Sequence, residues 1–159
     1  MIVLAIDPGN IESAYVLMNN SYEIFQFGKI GNENMFEIIE ETMPDIVVIE
    51  MVASYGMAVG ATVFETVFWI GRFYEASTRE WSGCDRVYRK DVKMNLCGQT
   101  RAKDSNIRQA LIDRFAKHDF KNGKGTKGNP DWFYGFKADI WQAYAVGVTY
   151  IDSELEKCI

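Results

Sequence analysis

The order of apolar segments predicts an α/β fold with one central, mixed, five-stranded sheet flanked by helices. Three observations carry that expectation. The β-branched runs Ile2–Asp7 and Ile46–Ile49 have strand length and no polar alternation, as strands buried on both faces do. Ser13–Met18 and Tyr22–Lys29 also have strand character, and only Asn19-Asn20-Ser21 separates them. From residue 34 onward, segments with apolar residues three and four apart alternate with strands, giving βββαβα followed by βαα.

Taken in order, Val3 and Ala5 share a face of the first strand with Asp7, while Ile2, Leu4 and Ile6 occupy the other, so Asp7 stands at its C-terminal end. Asn19 and Asn20 tolerate the positive φ of a tight turn, which makes the first three strands antiparallel. Asn34–Met43 carries Met35, Ile38, Ile39 and Thr42 at helical spacing before Pro44 stops it, and Glu50 closes the strand that follows. Val59–Thr78 is a long helix, with Val63, Val67, Ile70 and Tyr74 on one stripe and Phe64, Phe68 and Glu75 beside it. It is apolar almost all round and is expected to be buried on two sides, as core alone or also as a subunit interface. Arg86–Arg89 is a short fifth strand and Lys90–Leu96 a helical piece ended by Gly98. Ala102–Lys117 is a helix with Ile107, Leu111 and Phe115 on one face. His118–Pro130 sets three glycines among Lys121, Lys124 and Lys127 and is expected to be a mobile basic loop. A last helix over about Lys137–Tyr150 puts Asp139 on one face with Ala143, Val146 and Tyr150, looking inward.

A chain of 159 residues, 48% hydrophobic, suits a single domain over 1–159 that needs no disulfide or structural metal. Cys84, Cys97 and Cys158 are odd in number and lack metal-ligand spacing, and His118 is the only histidine, so neither a disulfide framework nor a zinc site is expected. The apolar stretches are too short or too polar to cross a bilayer, and no signal peptide precedes Met1-Ile2-Val3, which points to the cytoplasm. The formal net charge of −5 conceals two unlike halves. Residues 1–85 hold three Lys and Arg against thirteen Asp and Glu, a net −10, whereas residues 86–127 hold twelve Lys and Arg against four Asp, a net +8. Charges more than about 8 Å apart are screened at physiological salt, so the basic segment keeps its attraction for phosphate despite the acidic total.

Asp7 and Glu50 each end an apolar strand, and Asp139 opens the last helix. A carboxylate at the end of a buried strand must be ionised and paired, hydrogen-bonded or metal-bound, since leaving it desolvated costs several kcal/mol. Three converging carboxylates suit Mg²⁺, which prefers hard oxygen ligands and shares them with substrate phosphate, and Mn²⁺ substitutes for it. Two such ions carry phosphodiester hydrolysis without a histidine or cysteine nucleophile. Asp7-Pro8-Gly9 taken alone is as good a turn as a site.

The ordered set Ile6-Asp7-Pro8-Gly9, Val48-Ile49-Glu50, Val92-Lys93 with Gly98 and Ala102-Lys103, and Ala138-Asp139 with Ala143 and Ala145 resembles the RuvC family of Holliday-junction resolvases. The likeness spans nearly the whole chain, and the compact length with Glu50-Met51-Val52-Ala53-Ser54-Tyr55-Gly56 is most similar to the bacteriophage branch. The resemblance implies an RNase H-like fold. It also implies a homodimer whose two Mg²⁺-dependent sites nick opposing strands of a four-way DNA junction, with Asp7, Glu50 and Asp139 as catalytic metal ligands. Lys93 and Lys103 resemble the family's lysines near the scissile phosphate, with Arg101 the alternative to Lys103. The chain departs from the pattern at Phe136, where cellular members carry a further acid or a histidine. Asp131, Asp104 or water is left to complete the ligand set, and Lys137 to contact phosphate.

Tyr55, in the loop after the second acid, is either a platform for an unpaired base or packed under its own loop. Lys121, Lys124 and Lys127 either track the DNA backbone or are simply solvated. Trp69, Trp81 and Trp141 are expected in core or interface, and Trp132, beside the basic loop, is open to either role. Competing functions are a non-cleaving scaffold for branched DNA, a related nuclease acting on RNA, forks or flaps, and a sugar-kinase or actin-like ATPase. The last also begins with Asp-Pro-Gly but requires a second nucleotide-binding half.

Overall fold

A computed structural model describes residues 1–79 and 82–158. The strands are β1 (Ile2–Asp7), β2 (Glu12–Asn19), β3 (Ile24–Gly31), β4 (Ile46–Met51) and β5 (Gly83–Tyr88), with a two-stranded ribbon of β6 (Gly125–Thr126) and β7 (Asn129–Pro130). The helices are α1 (Met35–Thr42), α2 (Ala61–Arg79), α3 (Arg89–Cys97), α4 (Asp104–Phe115) and α5 (Ile140–Lys157). The main sheet runs β3-β2-β1-β4-β5, with β1, β2 and β3 antiparallel and β1, β4 and β5 parallel. This is the expected mixed five-stranded sheet between helices.

Strand alternation divides the core into two layers. Val3, Ala5, Val16, Val48 and Val87 face α3, α4 and α5, whereas Leu4, Ile6, Leu17, Val47 and Ile49 face α1 and α2. Helix α5 is buried from Ile140 to Ile151 apart from Gln142, because it lies on the sheet and is covered in turn by α3 and α4. Its seat on the sheet depends on Gly147, where a Cβ would stand 2.5 Å from the Met18 sulfur and 3.1 Å from the Ala5 Cβ.

Several local expectations need correction. Left-handed backbone in the β2–β3 turn falls at Tyr22 (φ +67°), not at Asn19 or Asn20, because the Asn19 side-chain carbonyl accepts the Ser21 and Glu23 amides and closes the turn from outside. Glu50 lies one residue inside β4 instead of ending it. Helix α2 is buried along one stripe only, at Thr66, Ile70, Phe73 and Ser77, and Phe64 and Phe68 are 64% and 59% exposed. Trp69 packs on Phe73 and Phe36, Trp141 is buried, and Trp81 lies outside the described residues. No described helix is long and apolar enough to cross a membrane.

The segment expected to be a mobile loop is built around two carboxylates. Asp131 accepts the amides of Lys117, His118, Asp119 and Trp132, and Asp119 accepts those of Asn122, Lys124 and Gly125. Charge-assisted bonds from backbone donors hold Asp131 far below the usual carboxylate range despite its burial. Replacing Gly147 by Ala should lower stability by about 1–3 kcal/mol although alanine is the better helix former, because overpacking outweighs propensity here. An unchanged midpoint in urea denaturation would show that the α5 seat can relax.

Candidate active site

Sheet register assembles the site. Asp7 pairs with Ala14 and Ala14 with Lys29, while Ile6 pairs with Ile49 in parallel, which brings Glu50 level with Asp7, and Glu50 pairs with Val87. Residues level across a sheet point to the same face, so Lys29, Ala14, Asp7, Glu50 and Val87 form one row facing the start of α5. Asp139 completes it from above. The turn that presents Asp7 is pinned from below, since Ser13 accepts the Gly9 amide and donates to Asn32, whose side chain donates to the Gly9 carbonyl. Gly9 is needed for the chain's own turn, because a Cβ there would collide with the Glu12 carbonyl oxygen.

Asp139 is not one turn inside a helix looking at the core. It is the residue that precedes α5, reached through left-handed backbone at Ala138 (φ +46°), a conformation costing an L-residue about 1–2 kcal/mol. An aspartate there would ordinarily cap the helix amides. Instead its carboxylate makes no cap bond and accepts a 2.6 Å bond from Lys29 Nζ.

The electrostatics are those of acids short of counter-charge. Desolvation, then the charges of Glu50 and Asp139, push Asp7 up to about 8, against the lowering influence of Arg89 and Lys29. Burial also raises Glu50, whose side chain is 13% exposed and whose Oε2 has no hydrogen-bond partner. Arg89 stands 3.5 Å from that oxygen and donates to the side chains of Gln142 and Asp104. Among the described residues, no three acids, cysteines or histidines are already grouped to hold an ion. Asp7, Glu50 and Asp139 nonetheless fit a divalent cation in donor chemistry, since an orphaned buried carboxylate oxygen and mutually repelling acids are what such an ion relieves.

Of the further candidates, Lys93 is half-buried and shares a cleft of about 370 Å³ with Tyr55, Arg89, Lys90 and Thr100. Arg101 and Lys103 are exposed on the turn before α4, outside the lining of that cleft. Tyr55 is 62% exposed, not packed under its loop. Phe136 is buried against Phe27, Phe133, Trp141 and Tyr144, so a core aromatic stands at the position where the resemblance implies a fourth ligand. Asp131 is committed to backbone amides and Asp104 to Arg89, which leaves neither free to fill the gap. Lys121, Lys124 and Lys127 are not part of the acid site. Their loop follows the far end of α4, near the β2–β3 turn, where Phe115 stacks on Trp132 and meets Tyr22. Trp132 also donates to the Tyr144 hydroxyl, so it belongs to the packing.

Two site residues escaped sequence reasoning, Lys29 and Arg89. Lys29 lies on the sheet face of Asp7 and Arg89 is the first residue of α3, just past β5, so what places them is strand pairing and the β5–α3 junction, which apolar spacing alone does not disclose. The cysteines are unpaired, and burial raises the Cys84 thiol to about 12, so it is no nucleophile at neutral pH.

No protein-family model matches the chain, and no curated protein does. Solved structures do. RuvC from Thermus thermophilus superposes with a TM-score of 0.72 at 12% identity over 98% of this chain and 97% of that one. Its complex with a Holliday junction substrate gives the same score and identity over 98% and 96%. The fowlpox virus Holliday junction resolvase gives 0.52 at 17% identity over 96% and 99%. The chain has the RNase H-like fold of the RuvC resolvases.

An acid with a raised folded-state pKa binds its proton more tightly when native. Metal-free protein should therefore lose stability as pH rises from about 4, the ordinary value, to about 8. In EDTA, Asp7→Asn should be more stable than wild type at pH 8 by about 1–3 kcal/mol and nearly equal to it at pH 4.5. Denaturant titrations at the two pH values check this, and a gap that does not grow with pH would refute it.

Proposed function

We propose that the chain is a metal-dependent endonuclease of the bacteriophage RuvC branch that resolves four-way DNA junctions and accepts other branched DNA. The observation that carries this is the row of Asp7 and Glu50 beneath Asp139, short of positive charge, in a fold shared with Holliday junction resolvases. In this reading Asp7, Glu50 and Asp139 hold Mg²⁺, with Mn²⁺ able to replace it. The ions, when bound, lower the pKa of an attacking water and stabilise the leaving oxygen. Arg89 fixes Glu50 from behind, its fork held by Gln142 and Asp104. Lys93, in the cleft beside Glu50, meets the scissile phosphate, and Tyr55 at its rim stacks on a base unpaired at the crossover.

Helix α4 runs from the acid site toward the basic loop, about 17 Å for its twelve residues, the length of about five base pairs. A duplex arm leaving the site along it would meet Lys121, Lys124 and Lys127 by phosphate contacts alone, with Arg101 and Lys103 at its start. The exposed aromatic stripe of α2 supports a homodimer, because Phe64, Phe68 and Val67 form an apolar face that the monomer leaves uncovered.

Purified protein should nick four-way junctions symmetrically with Mg²⁺. Asp7→Asn should lose about a thousandfold in cleavage while binding junctions within about threefold. Wild type that binds branched DNA yet never nicks it with Mg²⁺ or Mn²⁺ would make the chain a scaffold. Lys93→Ala should slow single-turnover cleavage about 10–100-fold with little change in binding, and equal losses in both would place it away from the scissile phosphate.

A further inference from the structure

The two cations flanking the acid row are held in different ways. Arg89 is gripped by three side chains and is 24% exposed. Lys29 makes one contact, to Asp139, and the two side chains are 38% and 48% exposed. Lys29 reaches Asp139 because the residue between it and Asp7 on the sheet face is Ala14, too short to stand in the way. The Asp139 carboxylate makes no cap bond to α5, and its hydrogen bond in the metal-free protein is to this ammonium. Asp139 is thus paired to the edge strand β3, and among the described residues no three acids are grouped to hold an ion.

A single, half-solvated ammonium contact is weak, worth a fraction of what a divalent ion gains from the same carboxylate among three acids. Metal should therefore win Asp139 when it is present. Lys29 cannot then leave, because its stem is anchored on β3. It lines a cleft of about 400 Å³ with Phe27, Gly28, Gly135, Lys137, Ala138 and Ile140, which opens beside Asp139. A second ammonium in that cleft, Lys137, makes it attractive to an anion.

Resting on the nuclease reading above, we propose that Lys29 is an exchangeable counter-ion. It holds Asp139 in the metal-free protein, yields that carboxylate to the metal, and then binds a phosphodiester oxyanion of the DNA entering beside Lys137. The two halves of this role predict opposite changes from one substitution. Removing the ammonium takes away a competitor for the metal but also a ligand for the phosphate.

The test uses the full chain and its Lys29→Met and Lys29→Arg variants, with Mn²⁺ as the probe. Free Mn²⁺ measured by electron paramagnetic resonance without DNA should show Lys29→Met binding the ion about 3–10-fold more tightly than wild type, and Asp139→Asn binding it more weakly. Single-turnover cleavage of a four-way junction at saturating Mg²⁺ should fall about tenfold or more in Lys29→Met and stay within about threefold in Lys29→Arg. Mn²⁺ affinity unchanged or weakened in Lys29→Met overturns the exchange, and unchanged cleavage overturns the phosphate contact. Wild type that neither binds Mn²⁺ nor nicks the junction brings down the nuclease reading itself. Wild type that does both, with Lys29→Met indistinguishable from it, brings down only the role of Lys29.

Discussion

Parallel pairing of β1 with β4 forces two carboxylates to stand level on one face of the sheet, and much of the remaining site answers that constraint. Asp7 cannot escape Glu50, because Ile6 and Ile49 are locked in register inside a core with no exposed surface. A pair of acids so placed repel one another in a poorly solvated environment, and the chain supplies positive charge from both flanks, Arg89 from the β5 side and Lys29 from the edge strand. The hydrogen-bonded turn of Gly9, Ser13 and Asn32 then fixes the chain just after Asp7, and the left-handed step at Ala138 leads into Asp139. Such arrangements trade stability for a site ready to accept charge.

The parts of the molecule legible in the sequence are those governed by local pattern. Five apolar residues in a row before Asp7 make β1 readable, Pro44 marks the end of α1, and Gly98 marks the end of α3 through its left-handed backbone. The acids could be picked out because a charge beside a buried run needs a reason. What could not be read was anything set by which strand pairs with which. Lys29 is an ordinary strand-end lysine until β3 is laid beside β2 and β2 beside β1. Asp139 had the period of a helical residue, yet the chain needed one more turn of irregular backbone to bring it over the sheet.

Two errors had a shared cause. In sequence the segment 118–130 reads as mobile because its side chains are polar and its glycines many, and α2 reads as doubly buried because its side chains are apolar. Composition reports what a segment can bury, not what its backbone bonds to or whether a neighbour exists to cover it. The glycines of the loop bear this out, since Gly123 and Gly125 adopt positive φ while the Gly123 and Gly125 amides are bound by Asp119.

That loop has a consequence for how the protein can change over generations. Its anchors, Asp119 and Asp131, hold backbone amides, and every residue other than proline supplies one. The side chains of Lys121 and Lys127 contribute nothing to closing it, and they are exposed. Their charge, length and chemistry can drift without refolding the segment, whereas a change at either aspartate releases it as a whole. The surface that these lysines form is thereby uncoupled from the scaffold that carries it, which lets selection retune one while leaving the other untouched.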